Sequence, residues 1–316
     1  MASSMANKPS VFIDGEAGTT GLGIRERLRA VSGIEVKSVP AERRKDPEAR
    51  RAVMAEVDVV VLCLPDDAAR EAVTIAESLG ERAPRVLDAS TAHRVAPGWV
   101  FGFPELTATQ PAAIRAARKV ANPGCYPSGG IALVRPLVDA GIMSKDYPLI
   151  VQAVSGYSGG GKSMIEAFEG GTAPSFEVYG LRLEHKHVPE LQVYSGLTRR
   201  PIFVPAVGNY RQGMIVDVPL HLDTLSGKPT ARDLEAVLIA HYRGSSRISV
   251  VPVNAADKAT DRLEPEALNE TDRMELRVHS NDKYGQVILS ARLDNLGKGA
   301  SGAAVQNLEV MLDLAA

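Results

Sequence analysis

Apolar and polar positions follow two different rhythms along this chain. In the first third, short apolar runs alternate with stretches of helical spacing. Pro9–Asp14 reads as a strand, Ile24–Val31 as helical and Ile34–Val39 as a second strand. Residues 46–56 read as a helix, Val57–Leu64 as a strand buried on both faces, Asp66–Leu79 as a helix and Arg85–Asp88 as a further strand. Strands and helices alternating at this pace predict an α/β domain with a Rossmann-type parallel sheet. An extended run, Arg118–Asn122, then enters Pro123-Gly124. Beyond it Ile131, Leu133, Val134, Leu137 and Val138 recur at helical spacing.

After that helix the rhythm changes. Leu149–Val154 reads as a strand and Ser163–Phe168 as a helix. Strands at Pro201–Ala206, Met214–Leu222, Ile248–Val253, Met274–His279 and Val287–Arg292 then accumulate, with one clear helix, Ala231–Arg243, among them. This predicts an α+β domain with a mostly antiparallel mixed sheet. A small-residue loop follows, and a terminal helix carries Val305, Leu308, Met311 and Leu312. The expected division is residues 1–124 as a dinucleotide-binding domain, with 299–316 packing back on it, and 125–298 as a catalytic and oligomerisation domain.

Composition narrows the function classes. With 316 residues, 45% hydrophobic and 23% charged, the chain has the makeup of a globular protein of two domains. A net charge of −2 gives no reason to expect a nucleic acid or an anionic membrane as partner. Two cysteines do not make a disulfide framework, which points to a reducing, cytoplasmic setting. No apolar run has the length of a membrane span. The opening Met1–Lys8 has no apolar core of a secretory signal and reads as a frayed tail.

Chemistry concentrates in a few motifs. Asn122-Pro-Gly-Cys125-Tyr-Pro-Ser-Gly-Gly130 puts Cys125 on a tight strand-to-helix turn. A helix N-terminus carries partial positive charge and favours a thiolate, so Cys125 is a candidate nucleophile. Cys63, inside an aliphatic run, reads as a buried filler. Gly15-Glu-Ala-Gly18-Thr19-Thr20-Gly21 follows the first strand and opens a helix, the layout that seats a pyrophosphate. Ser38 lies near the end of the second strand and is followed by Glu42, Arg43 and Arg44; the hydroxyl and the basic residues suit a ribose 2′-phosphate and hence NADP, while Glu42 runs against that reading. Ser155-Gly-Tyr-Ser158-Gly159-Gly-Gly-Lys162 combines hydroxyls, backbone N–H groups and an ammonium suited to an anion. In Glu184-His185-Lys-His187-Val-Pro-Glu190 either histidine suits acid/base chemistry. No matching cluster of metal ligands accompanies them, so no metal is expected. Arg211, before Gly213, is a candidate for a substrate carboxylate.

Asn122-Pro-Gly-Cys-Tyr-Pro127, His185-Lys-His-Val-Pro-Glu190 and Asp294-Asn-Leu-Gly-Lys-Gly-Ala-Ser-Gly-Ala-Ala-Val-Gln306 together resemble the N-acetyl-γ-glutamyl-phosphate reductase family of arginine biosynthesis. Asp88–Arg94, Gly102–Glu105 and Ser155–Lys162 align with features of the same family. The resemblance spans nearly the whole chain and is to the family's shorter branch. The glycine turn departs from the many members that have an aromatic residue before Thr-Gly. The resemblance implies a semialdehyde dehydrogenase-like fold and a homo-oligomer, dimer or tetramer. It implies NADPH-dependent reduction of a small-molecule acyl phosphate through a Cys125 thioester. It also implies cofactor contacts from Gly15, Gly18, Thr19, Thr20, Gly21, Ser38, Arg43, Arg44, Ser90, Asn295 and Lys298. Ser155, Ser158, Gly159, Lys162, Glu105 and Arg211 are implied for substrate and phosphate. Only one of His185 and His187 need be the acid/base. Side chains two apart on an extended segment point the same way, so sequence does not choose; the preference goes to His185, with His187 either holding substrate or supporting the residues that do. The competing enzyme reading is an aspartate-semialdehyde dehydrogenase-like reductase of another acyl phosphate.

Overall fold

The computed structural model describes residues 8–252 and 262–314. The chain divides into two compact units. The first comprises the residues up to Gly102, Pro111–Asn122 and those from Ala304 onward; the second comprises Phe103–Gln110 and Pro123–Ala303.

The first unit begins with β1 (Ser10–Asp14), α1 (Thr19–Leu28), β2 (Glu35–Lys37), α2 (Pro47–Met54), β3 (Val59–Leu62) and α3 (Asp66–Glu77). There follow β4 (Arg85–Asp88), β5 (Val100–Phe101), α4 (Gln110–Ala116) and β6 (Lys119–Ala121). The six strands form a wholly parallel sheet in the order β2-β1-β3-β4-β6-β5. Alternate side chains enter two separate cores, one on each face. Val11, Ile13, Val59, Val61, Leu87 and Val120 meet Ile24, Leu28 and Ile114 on one side. Phe12, Val60, Leu62 and Val86 meet Met54, Ala69, Ala72 and Val73 on the other. Burial on both faces is why these strands read as continuous apolar runs.

The second unit begins with α5 (Cys125–Asp139), β7 (Ile150–Gly156), α6 (Lys162–Glu169), β8 (Phe176–Val178), α7 (Val188–Tyr194), β9 (Ile202–Gly208) and β10 (Met214–His221). It continues with α8 (Ala231–His241), β11 (Ile248–Val251), β12 (Met274–Asn281) and β13 (Gln286–Leu293). The seven-stranded sheet runs β11-β12-β13-β10-β7-β9-β8. Four of its six pairings are antiparallel; β11–β12 and β7–β9 are parallel. One face is covered by α5 and α8. The last helix, α9 (Gly302–Met311), places Val305, Leu308 and Met311 in the first unit's core beside Val11 and Ile13. Buried Asn307 donates to the Gly102 carbonyl and the Asn122 side chain within that unit.

Several elements differ from the sequence expectation. β2 is shorter than Ile34–Val39, because the chain leaves the sheet at Ser38 while Val39 turns into the core. The β5 and β8 strands and helices α4 and α7 are too short to give a periodic signal. The segment through His185 and His187 is not extended; it turns into α7, with Pro189 in that helix's first turn. Val253, the expected end of the β11 strand, lies outside the described residues, as does the Met1–Asn7 part of the tail and Ala315–Ala316 of the terminal segment. Among the described residues no helix is long and apolar enough to cross a membrane.

The approach of α5 to its sheet depends on a missing side chain. A Cβ on Gly129 would stand 2.8 Å from Val216 Cγ2 and 3.3 Å from Ala291 Cβ. Gly129→Val is therefore expected to destabilise the protein by about 1–3 kcal/mol, the usual cost of overpacking. Denaturant unfolding checks this, and unchanged stability would mean that α5 does not rest where its packing places it.

Candidate active site

The second unit holds Cys125, the candidate nucleophile. Gly124 caps α5 in an extended conformation without a side-chain cap, and Cys125, half-buried, is the first helical residue. The helix's unpaired N–H groups therefore gather at the sulfur's end of the helix. Two contacts fix this turn. The buried Glu190 carboxylate accepts from the Gly124 N–H at 3.0 Å. Gly299 packs so closely that a Cβ on it would lie 2.9 Å from Cys125 Cβ. Gly299 belongs to a single π-helical turn, Gly297–Ser301, which opens α9. Such turns recur at functional sites.

Aromatic rings and both histidines surround the next residue. Tyr126 is buried, donates to the Ala206 carbonyl at 2.9 Å and accepts from Tyr179 at 3.2 Å. Its ring lies 6.2 Å from His185 and 5.9 Å from His187, and the two imidazoles are 4.8 Å apart. Burial raises the Tyr126 hydroxyl well above its ordinary pKa, and burial pushes Tyr179 up to about 12. A charge on Cys125 would push both in the same direction. Both tyrosines thus remain neutral donors at working pH. The backbone N–H of His187 donates to His185 Nδ1 at 3.2 Å. With Nδ1 accepting, the neutral His185 ring carries its proton on Nε2.

The expected anion loop is only partly convergent. Ser155 and Ser158 are buried, and Ser158 Oγ accepts from Asn295 Nδ2 at 2.9 Å. Asn295 Oδ1 in turn accepts from the Gly213 N–H at 2.8 Å. A Cβ on Gly159 would stand 3.2 Å from Ser155 Oγ and 3.4 Å from Asn295 Nδ2, so these four residues cluster. Lys162 does not join them; its ammonium is exposed, 3.6 Å from Glu166. Arg211 contributes its backbone carbonyl to the Ser158 N–H, while its guanidinium pairs outside with Glu169 at 2.7 Å. Glu105 and Lys298 meet each other: the ammonium lies 2.8 and 2.9 Å from the two carboxylate oxygens and 5.1 Å from the Phe103 ring centre. Burial drives the Lys298 pKa down, and Glu105 opposes that shift. Such a pair satisfies itself, and breaking it would leave a buried charge.

The first unit holds the glycine turn. Gly15 has φ +91°, and a Cβ there would stand 2.3 Å from the Cys63 carbonyl oxygen, so only glycine fits. Gly21 packs against Gly15 and Glu16 with the same lack of room, whereas the nearest atom to a Cβ on Gly18 is 3.5 Å away. Gly18 caps α1 without a side-chain bond, so Thr19 and Thr20 open the helix with no side chain capping their N–H groups. This open turn at a helix N-terminus fits a pyrophosphate. Ser38 and Arg44 both donate to Glu16, and Arg43 pairs with Asp46. Ser90 caps the Asp88 carboxylate through N–H and Oγ; Asp88 also lies 2.6 Å from His93 Nδ1. Asn295 and Lys298 belong to the second unit. Sequence reasoning passed over Glu16, Tyr126, Tyr179 and Glu190. Three of these stand inside the quoted motifs, but only the fold shows what each touches.

Comparison with known proteins agrees with this layout. A family described as "Semialdehyde dehydrogenase, NAD binding domain" matches residues 15–115, and "Semialdehyde dehydrogenase, dimerisation domain" matches 125–295. An N-acetyl-gamma-glutamyl-phosphate reductase of Burkholderia lata is 51% identical over 98% of this chain and 98% of its own length. Those of Chelativorans sp. (strain BNC1) and Brucella suis are each 52% identical over 96% of this chain, covering 97% and 99% of their own. Aspartate semialdehyde dehydrogenase II of Vibrio cholerae, complexed with ASA, superposes with a TM-score of 0.73 at 16% identity, covering 98% of this chain and 99% of its own. The Francisella tularensis aspartate semialdehyde dehydrogenase gives 0.74 at 12%, covering 96% and 100%. At such identities these two show a shared fold alone.

The two cysteines should separate chemically. Burial, with Asp88 and Asp14 adding to it, pushes the Cys63 thiol up to about 12. Iodoacetamide at pH 8 is expected to alkylate Cys125 and spare Cys63 in the native protein. Peptide mass spectrometry reads this, and faster labelling of Cys63 would contradict the assignment of inert and reactive thiols.

Proposed function

The chain belongs to the semialdehyde dehydrogenase family and, within it, to the N-acetyl-gamma-glutamyl-phosphate reductases, and we propose that its reduction of N-acetyl-γ-glutamyl phosphate to the 5-semialdehyde runs through a thioester on Cys125. The observation that carries this is Cys125 at the start of α5, on a turn held by Glu190 and Gly299, in the same unit as both histidines.

In this reading Cys125 Sγ attacks the acyl carbon, the C–O bond to phosphate breaks, and inorganic phosphate leaves as the thioester forms. Ser155, Ser158 and Gly159 hold the departing phosphate, supported by the buried clustering of their loop around Asn295. Lys162 takes part from the loop's solvent side, given its exposed ammonium. His185 is the acid/base, supported by an Nδ1 that accepts and so leaves the proton on Nε2. It protonates the thiohemiacetal oxyanion and takes that proton back as the C–S bond breaks, so that aldehyde and thiolate leave together. His187 orients substrate beside it. Arg211 and Glu105 are substrate-side residues whose charged ends are engaged by Glu169 and Lys298. A carboxylate ligand role for Arg211 requires it to exchange Glu169 for substrate.

The cofactor is NADP. Gly15, Gly18, Thr19, Thr20 and Gly21 cradle its pyrophosphate, and Ser38, Arg43 and Arg44 face the ribose 2′-phosphate. Ser90, Asn295 and Lys298 are assigned to the same cofactor. When bound, NADPH supplies hydride. The first unit is thus the cofactor domain and the second the catalytic one, in a cytoplasmic enzyme. A homo-oligomer forms through the second unit. Val216 and Ala291 face α5, so strand alternation and register put Ile150, Ile202 and Ile288, which are 44–48% exposed, on the sheet's other face.

Cys125→Ser is expected to retain NADPH binding and to lose nearly all phosphate-dependent NADP⁺ reduction with N-acetylglutamate semialdehyde. Full activity in that variant would refute the covalent route. Equal or faster turnover of aspartyl phosphate by the unaltered enzyme would refute the substrate.

A further inference from the structure

Glu16 stands in the glycine turn, and its side chain is only 6% exposed. Three donors from three segments converge on it. Arg25 Nη1, from α1, lies 2.6 Å from Oε2; Ser38 Oγ, just past β2, lies 3.0 Å from the same oxygen. Arg44 Nη2 lies 2.6 Å from Oε1. In parallel dinucleotide-binding sheets, an acid at the end of the second strand takes the ribose 2′-hydroxyl, and an arginine nearby takes a 2′-phosphate. This chain has a serine at the end of β2. A carboxylate nevertheless reaches that place, arriving from the glycine turn instead of from the strand.

Ser38 and Arg44 are therefore donors to two anions in turn: the chain's own carboxylate and the 2′-phosphate assigned to them. Arg43 is a different case, since its partner is Asp46 on the exposed side. Two guanidinium groups against one carboxylate leave the locus one unit positive, which still attracts a dianion. The arginine side chains are 41% and 42% exposed, so a ligand reaches them from solvent without unfolding the turn.

We propose that Glu16 determines nucleotide specificity, acting as an internal counter-anion that a 2′-phosphate displaces from Ser38 and Arg44. It lowers affinity for NADPH without lowering that for NADH, and so holds the preference for NADPH below what the arginines alone would give. The inference rests on the reading that NADP binds at this turn.

The test is equilibrium binding of NADPH and NADH, followed by nucleotide fluorescence, to the unaltered enzyme, Glu16→Gln, Glu16→Asp and Arg44→Ala. Thermal melting verifies that each variant is folded. Glu16→Gln is expected to tighten NADPH about tenfold, the effect of removing a unit charge near a dianion in half-exposed surroundings, with NADH within about twofold of the unaltered enzyme. Glu16→Asp keeps the charge and is expected to keep the original NADPH-to-NADH ratio. Glu16→Ala, with the same expectation as the glutamine variant, serves if that variant does not fold. Weaker NADPH binding in Glu16→Gln, or an equal change for both nucleotides, overturns the proposal and makes Glu16 a brace of the turn. An unchanged nucleotide ratio in Arg44→Ala overturns the reading of the site beneath it, whichever way Glu16→Gln behaves.

Discussion

A single buried carboxylate fixes the turn that carries the Cys125 sulfur. Glu190 accepts from the backbone N–H of Gly124, one residue before Cys125, and it does so from the first turn of α7. A carboxylate taken out of water needs such donors, since an unsatisfied buried charge is costly. The bond therefore works in both directions. It satisfies Glu190, and it fixes the residue that caps α5. Gly299 presses on Cys125 from the π-helical turn, and Gly129 lets α5 settle on its sheet. Helix, cap and neighbouring turn then leave the sulfur little choice of place. His187 caps the same helix and His185 lies two residues before it, so the element that anchors the Cys125 turn directly follows the proton-transfer candidates.

Buried charge plays a related part elsewhere. Asp14 and Arg50 form a pair at 2.8 Å at the end of β1. Lys298 and Glu105 form another in the π-helical turn. Glu16 gathers Arg25, Ser38 and Arg44. Pairs of this kind are weak sources of net stability, because desolvation offsets the Coulomb attraction. Their value lies in direction: a carboxylate with two or three donors allows few backbone positions for the turns that carry it. All three stand in or beside segments that chemistry singles out.

Much of the architecture was legible because it obeys simple periodicities. β3 and β4 stood out as aliphatic runs, and α3 and α5 as helices, since burial on a sheet imposes those patterns. α7 did not, because seven residues starting at a proline-containing turn make too short a signal. The place of Cys125 at the start of a helix was legible from its turn chemistry. The Glu105–Lys298 contact was not, because its partners are 193 residues apart and only the fold joins them. For the same reason Ser38 and Arg44 read as waiting for a phosphate, although they already hold Glu16 over separations of 22 and 28 residues.

The proposed route requires that substrate become bonded to Cys125. Mixing the enzyme with N-acetyl-γ-glutamyl phosphate in the absence of nucleotide, quenching in acid and mapping peptides by mass spectrometry tests it directly. One N-acetylglutamyl adduct is expected, on the peptide containing Cys125 and removed by hydroxylamine. Phosphate release with no adduct at Cys125, or an adduct on another residue, would contradict it.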